Sequence, residues 1–107
     1  RSLASMPHWQ RCMQGHSAAN LVPVIAANRV GTETVTPSED NNHQSSALTF
    51  YGSSFLTDAT GKIVSQGSRD QEEILLAEIH PQEDQELRMS WGVFRDRRPE
   101  MYGAITK

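Results

Sequence analysis

The sequence predicts an α/β fold, and three observations carry that prediction. A helical run with a small-residue end, Met6 to Asn20, feeds directly into a continuous apolar stretch, Leu21 to Ala27. Two β-rich runs, Leu48 to Leu56 and Lys62 to Gln66, flank the turn sequence Thr57-Asp58-Ala59-Thr60-Gly61. A second helical signal opens at Pro81-Gln82-Glu83-Asp84, after an alternating segment.

The first helix is expected to start at Ser5 as N-cap, with Pro7 in the first turn where a missing N–H costs nothing. Met6, Trp9, Met13 and Ser17 recur at helical spacing. Gly15, Ser17, Ala18 and Ala19 make the second half thin enough to lie close on a sheet, and Asn20 is the expected stop. The run Leu21–Ala27 reads as a strand covered on both faces, with Pro23 near its start, where no ladder bond is needed.

From Gly31 to Ser46 the chain turns polar and has hardly an apolar anchor, so residues 32–46 are expected to form a long, mobile loop. Leu48–Leu56 and Lys62–Gln66 are expected to close a hairpin. Glu72–Ile79 alternates as a strand would. Pro81 to about Ser90 reads as a short helix with acids in its first turn, where the macrodipole favours them. Trp91–Phe94 is an apolar plug, and 95–107 a basic tail anchored by Met101 and Tyr102.

Composition narrows the function classes. The net charge of −3 gives no nucleic-acid footprint. No apolar stretch is long enough to span a bilayer, and with a single cysteine no internal disulfide can form, so a cytoplasmic protein is expected. The hydrophobic fraction of 36% is low for a domain of 107 residues, and its clustering suggests a core that expects other material against it.

Four sets of side chains invite a chemical reading. Cys12 sits in mid-helix, where the dipole gives little help in ionising a thiol, and is expected to be a small buried hydrophobe. His8, His16, His43 and His80 form no helical His-x-x-x-His pair, so no metal site is assigned. Arg95, Arg97 and Arg98 lack a glycine-rich phosphate cradle and have a counterpart in the acidic run Asp70–Glu86. Glu33 stands just beyond the apolar run, where α/β folds meet ligands. It either orients a donor or attracts a substrate amine at a pocket rim, or it pairs with Arg29.

Three ordered blocks add a resemblance. They are His8-Trp9-Gln10-Arg11-Cys12-Met13-Gln14-Gly15-His16 running on to Asn28-Arg29-Val30-Gly31, then Tyr51-Gly52-Ser53-Ser54-Phe55 with Thr60-Gly61, then Trp91-Gly92-Val93-Phe94-Arg95-Asp96-Arg97-Arg98-Pro99-Glu100-Met101-Tyr102. Together they resemble the nitrilase superfamily of carbon–nitrogen hydrolases, most nearly its N-carbamoylputrescine amidases. One departure is Asp58-Ala59-Thr60-Gly61, where the family usually has a Pro before the turn.

The resemblance implies a four-layer α-β-β-α sandwich, of which residues 1–107 would be the C-terminal part of a single domain. It implies cysteine acyl transfer on a linear N-carbamoyl amine such as N-carbamoylputrescine, with no cofactor. The catalytic Glu, Lys and Cys would lie upstream, leaving Glu33 as the one pocket-rim candidate and no catalytic residue in this chain. A β-ureidopropionase-like amidohydrolase is the neighbouring reading, and a catalytically silent assembly or partner-binding module is the rival. The expected partners are the small amide substrate, the N-terminal remainder of the same protein and further copies in a homo-oligomer, with the Trp91–Tyr102 tail as an assembly element.

Overall fold

The computed structural model describes residues 3–106. A 3-10 turn, Leu3–Ser5, leads into helix α1, Met6–Asn20. Strands β1 (Ile25–Ala26), β2 (Val30–Val35), β3 (Ser46–Tyr51), β4 (Phe55–Thr57) and β5 (Ile63–Gln66) follow, then helix α2 (Pro81–Trp91) and a 3-10 turn, Pro99–Met101. The strands form a three-stranded sheet in the order β1-β4-β5 and a separate ribbon, β2-β3, all antiparallel. The mixed helix and sheet content bears out the α/β class.

The ends of α1 differ from expectation in detail. Ser5 precedes the helix, but its backbone is already helical (φ −80°, ψ −8°) because the 3-10 turn runs into it. An N-cap residue would be extended. At the other end Leu21, not Asn20, takes the left-handed conformation (φ 51°) and closes the helix onto Ser17 O. Asn20 turns its amide back to His16 O at 2.8 Å instead.

This cap consumes part of the apolar run. With Leu21 left-handed and Pro23 lacking an N–H, only Ile25 and Ala26 pair as a strand, against Leu56 and Phe55. Val24 joins the same sheet through Thr57, accepting the Thr57 N–H at 2.9 Å and donating its own to Oγ1 at 2.9 Å.

A buried polar node holds α1 to the sheet. Ser17, fully buried, bonds Val22 O at 2.6 Å, Asp58 O at 2.9 Å and Thr57 Oγ1 at 2.8 Å. Beside it Gln14 Nε2 donates to Gly61 O at 3.0 Å. Gly61 (φ 86°) lies so close under the helix that a Cβ would come 3.0 Å from both Ala18 Cβ and Gln14 O. The thin half of α1 and the glycine of the β4–β5 turn are thus two sides of one contact.

That turn is built by Asp58, whose Oδ1 accepts from the Thr60 amide and hydroxyl and from the Lys62 amide. Partial burial works against the charged carboxyl, but these donors and the Lys62 ammonium outweigh it and hold the group below the usual carboxylate range.

Three expectations need correction. Residues 32–46 are not one loop: β2 extends to Val35 and pairs residue by residue with β3, leaving 36–45 as the connection. The ribbon is exposed on nearly every residue, so its polarity marks two wet faces rather than absent structure. β-Branched Thr32 and Thr49 face each other and share a hydroxyl bond of 2.9 Å. Residues 72–79 form no strand, because no neighbour offers a ladder; Ile74 and Leu76 stand 88% and 85% exposed. The single strand expected over 48–56 is also broken, at Gly52–Ser54, into two that serve different sheets.

The molecule is consequently long, with extents of 55 × 40 × 23 Å and a radius of gyration of 19.4 Å. A compact chain of this length would have about 13 Å. The ribbon and residues 70–106 reach away from the body formed by α1 and the β1-β4-β5 sheet. No described helix is long and apolar enough to cross a membrane.

Candidate functional site

The break at Gly52–Ser54 creates the most organised concavity. Gly52 (φ 53°) and Ser53 (φ 58°) are both left-handed and swing the chain from the ribbon into the sheet. A Cβ on Gly52 would lie 2.7 Å from Val30 Cγ1 and 2.8 Å from two backbone carbonyls, so only glycine fits. Ser53, buried, caps the turn by donating to Tyr51 O at 2.9 Å.

Asn28 ties the exit of β1 to this turn. Its Nδ2 donates to Gly52 O at 2.9 Å and its Oδ1 accepts the Arg29 N–H at 2.9 Å. Its backbone N–H donates to Ser54 Oγ at 2.8 Å. The side chain is therefore committed to the scaffold.

These restraints place Tyr51, buried, against Trp9 of α1 (ring centroids 5.5 Å apart), and Trp9 edge-on to Phe55 at 5.4 Å. A cavity of about 310 Å³ opens beside them, walled by Trp9, Asn28, Leu48, Thr49, Phe50 and Tyr51. Its wall is mostly apolar and aromatic.

Charge lies next to two of these wall residues, Phe50 and Leu48. Arg29 and Glu33, four residues apart along the chain, are ion-paired, and the Arg29 guanidinium lies 4.6 Å from the centre of the Phe50 ring. In the β2–β3 register Glu33 is opposite Leu48, and directly opposed residues share a face. Glu33 thus stands on the same face as two wall residues, Leu48 and Phe50, and it is paired with Arg29 as the plainer sequence reading has it.

The remaining sequence candidates fall elsewhere. Cys12 is exposed on α1 rather than buried, which corrects the expectation of a small core residue. The periodicity that turns Trp9, Met13 and Ser17 inward, the last of them fully buried, turns position 12 outward. His8 and His16 are exposed on the same helix, His43 lies in the 36–45 connection, and His80 sits 3.6 Å from Glu78 just before α2. Among the described residues no group of three or more His, Cys, Asp or Glu is placed to hold a metal ion.

The arginines of the tail do not meet the acidic run. Arg95 pairs with Asp96 and bonds Met89 O, Arg98 pairs with Glu100, and Arg97 bonds Phe94 O beneath a cation–π contact. Sequence neighbours reach each other first. The exposed Arg95–Asp96 bond raises the arginine pKa and lowers that of the aspartate. The expected plug is open too, with Trp91 72% and Phe94 54% exposed.

The sequence shows Trp9 only as part of the helical repeat and the first block, Asn28 and Tyr51 only as letters in the blocks, and Phe50 only within the expected 48–56 strand. An Asn directly after an apolar run was the available sign of the clamp, since Asn bonds local backbone where strands end.

Comparison with known proteins decides the family. The carbon–nitrogen hydrolase family profile matches residues 3–89. The chain belongs to the carbon–nitrogen hydrolase family. An N-carbamoylputrescine amidase of Oryza sativa is 46% identical over 104 residues, covering 97% of this chain and 33% of that protein. A citrullinase of Francisella tularensis is also 46% identical, over 103 residues, again covering 33% of its length. A solved carbon–nitrogen hydrolase from Helicobacter pylori G27 superposes with a TM-score of 0.75 at 36% identity, covering 97% of this chain and 34% of that one. The chain thus spans about a third of the length of the relatives it matches. The layered family fold expected from the three blocks is borne out by that superposition.

Proposed function

We propose that these residues serve as part of an amidase that hydrolyses the carbamoyl group of a linear N-carbamoyl amine, N-carbamoylputrescine being the substrate put forward. The observation that carries this reading is the 46% identity, over nearly the whole chain, to an N-carbamoylputrescine amidase. The equal identity to a citrullinase keeps the reacting group the same, since citrulline also ends in a ureido group.

In this proposal a thiolate from an upstream segment attacks the carbamoyl carbon, a Glu from that segment protonates the departing amine, and a Lys stabilises the oxyanion. Water then releases carbamate, which breaks down to carbon dioxide and ammonia. The present residues supply scaffold and part of the pocket: the aromatic cavity suits a short alkyl chain. The proposed protein is a cytoplasmic homo-oligomer. Its open Trp91–Tyr102 tail, rich in the Trp, Tyr and Arg types of interface hot spots, is an assembly element.

The test is ammonia release by the full-length protein from N-carbamoylputrescine, citrulline and N-carbamoyl-β-alanine. Preference for the first is expected. Preference for the last selects the β-ureidopropionase-like reading, and turnover of none leaves the silent assembly module. Loss of assembly on removing residues from Arg95 onward, seen in sedimentation, checks the tail.

A further inference from the structure

Phe50, one wall of the aromatic cavity, carries a cation of the protein's own. The Arg29 guanidinium rests on the Phe50 ring at 4.6 Å and is paired with the Glu33 carboxylate. An aromatic face with an adjacent carboxylate is the usual receptor for an alkylammonium, by cation–π attraction and charge together. The polar groups of the wall are neutral: Asn28, whose amide is held by Gly52 O and the Arg29 N–H, and Thr49, whose hydroxyl is shared with Thr32. Glu33, opposite the wall residue Leu48 in the ribbon, supplies a carboxylate next to that wall.

The resident pair is well suited to exchange. Both side chains are open to water, Arg29 63% and Glu33 50% exposed, and exposed ion pairs are weak. Arg29 also sits on a long side chain able to swing away while Glu33 stays fixed by its place opposite Leu48 in the ribbon.

We propose that Glu33 is a specificity-determining residue that receives the distal ammonium of a carbamoyl-diamine substrate, and that Arg29 is the occupant this ammonium displaces. The inference rests on the amidase reading above and deepens it. Glu33 selects for a positively charged far end, and Arg29 tempers that selection by competing for the same carboxylate.

The experiment compares two substrates in the full-length enzyme: N-carbamoylputrescine, and N-butylurea, which has the same ureido group and four-carbon chain without the ammonium. The readout is the ratio of their kcat/KM values, which expresses specificity as a difference. Glu33→Gln is expected to lower the ratio at least tenfold, and Arg29→Gln to raise it about threefold or more, effects of opposite sign that a shared scaffold role does not produce. A ratio unchanged within twofold in Glu33→Gln overturns the assignment of Glu33. A fall in Arg29→Gln overturns the displacement. A wild-type enzyme that turns over neither substrate overturns the amidase reading and this inference with it, whereas turnover with an unmoved ratio overturns the inference alone.

Discussion

The stretch made of residues 17–27 with 51–61 and the stretch of residues 70–106 both carry large apolar side chains and have opposite fates. The first stretch contains the whole apolar core of the described residues: Leu21, Ala26, Tyr51, Phe55 and Ala59, with Ser17, Ser53 and Thr57 buried among them. In the second only Gly92 is buried, while Ile74, Leu76, Trp91 and Ile105 stand largely in water. Among the described residues one hydrogen bond joins the two, from Arg88 Nη1 to Leu21 O at 2.8 Å. The difference is one of partners. An amphipathic pattern states which face is to be buried, and burial itself requires a second element shaped to receive it.

The largest expected effect tests this directly. Phe55 is wholly buried and edge-packed by Trp9, so Phe55→Ala is expected to cost about 3–5 kcal/mol in denaturant unfolding. Leu76→Ala is expected to be neutral within about 0.5 kcal/mol in the 107-residue chain, as surface changes are. In the full-length protein the same change should cost about 2 kcal/mol, because the proposed sandwich supplies the missing cover. Neutrality in both would mean that the open half is open by nature.

Next in size is the polar node. Ser17→Ala removes a hydroxyl that bridges Val22 O, Thr57 and Asp58 O in a dry contact, stranding those groups. A cost of about 1–3 kcal/mol is expected. A smaller figure would show that water enters between α1 and the sheet, and the contrast with the open half would soften.

The same comparison explains what the sequence made legible. Residues 6–20 and the 55–66 hairpin could be read because spacing and turn chemistry are local: Pro7 at the helix start, Asp58 and Gly61 in the turn. The left-handed Leu21 was hidden, since an apolar residue gives no sign that it will cap a helix. The β2 strand was hidden because a ribbon exposed on both faces has the composition of a loop. Residues 72–79 misled for the converse reason, showing a strand's alternation with no ladder to join. At the candidate site Glu33 and its Arg29 partner were legible from position alone. The clamp by Asn28 and the wall made by Trp9 and Tyr51 were not, because they arise where residues more than twenty positions apart meet.

Two glycines, one under α1 and one on its outer side, give effects of opposite sign. Gly61→Ala is expected to cost about 1–3 kcal/mol, since φ is +86° and the new Cβ would press on Ala18 and Gln14 O. Gly15 lies on the outer side of the same helix with nothing within 4 Å of a Cβ, so Gly15→Ala should stabilise by about 0.5–1 kcal/mol. Thermal unfolding of both variants reads the sign. Destabilisation by Gly15→Ala would mean that something covers this face of α1 in the full-length protein.

The smallest expected effect falls on Cys12, and it fixes how far the packed half extends. The residue shares α1 with Trp9 and Ser17 yet faces water, so the helix has a closed side and an open side only a few residues apart. A nucleophilic thiol needs a helix N-terminus or a fixed cation to lower its pKa, and position 12 is mid-helix. Arg11 precedes it in sequence but projects about a hundred degrees away around the axis. Cys12→Ser in the full-length protein is therefore expected to shift stability by less than about 0.5 kcal/mol and to leave amidase turnover in place. A maleimide should label the wild-type thiol in the folded protein about as fast as in denaturant. Slow labelling would mean that a partner covers this side of α1. A fall in kcat of several orders of magnitude, with the fold intact, would make Cys12 the nucleophile and move the chemistry of the enzyme into these residues.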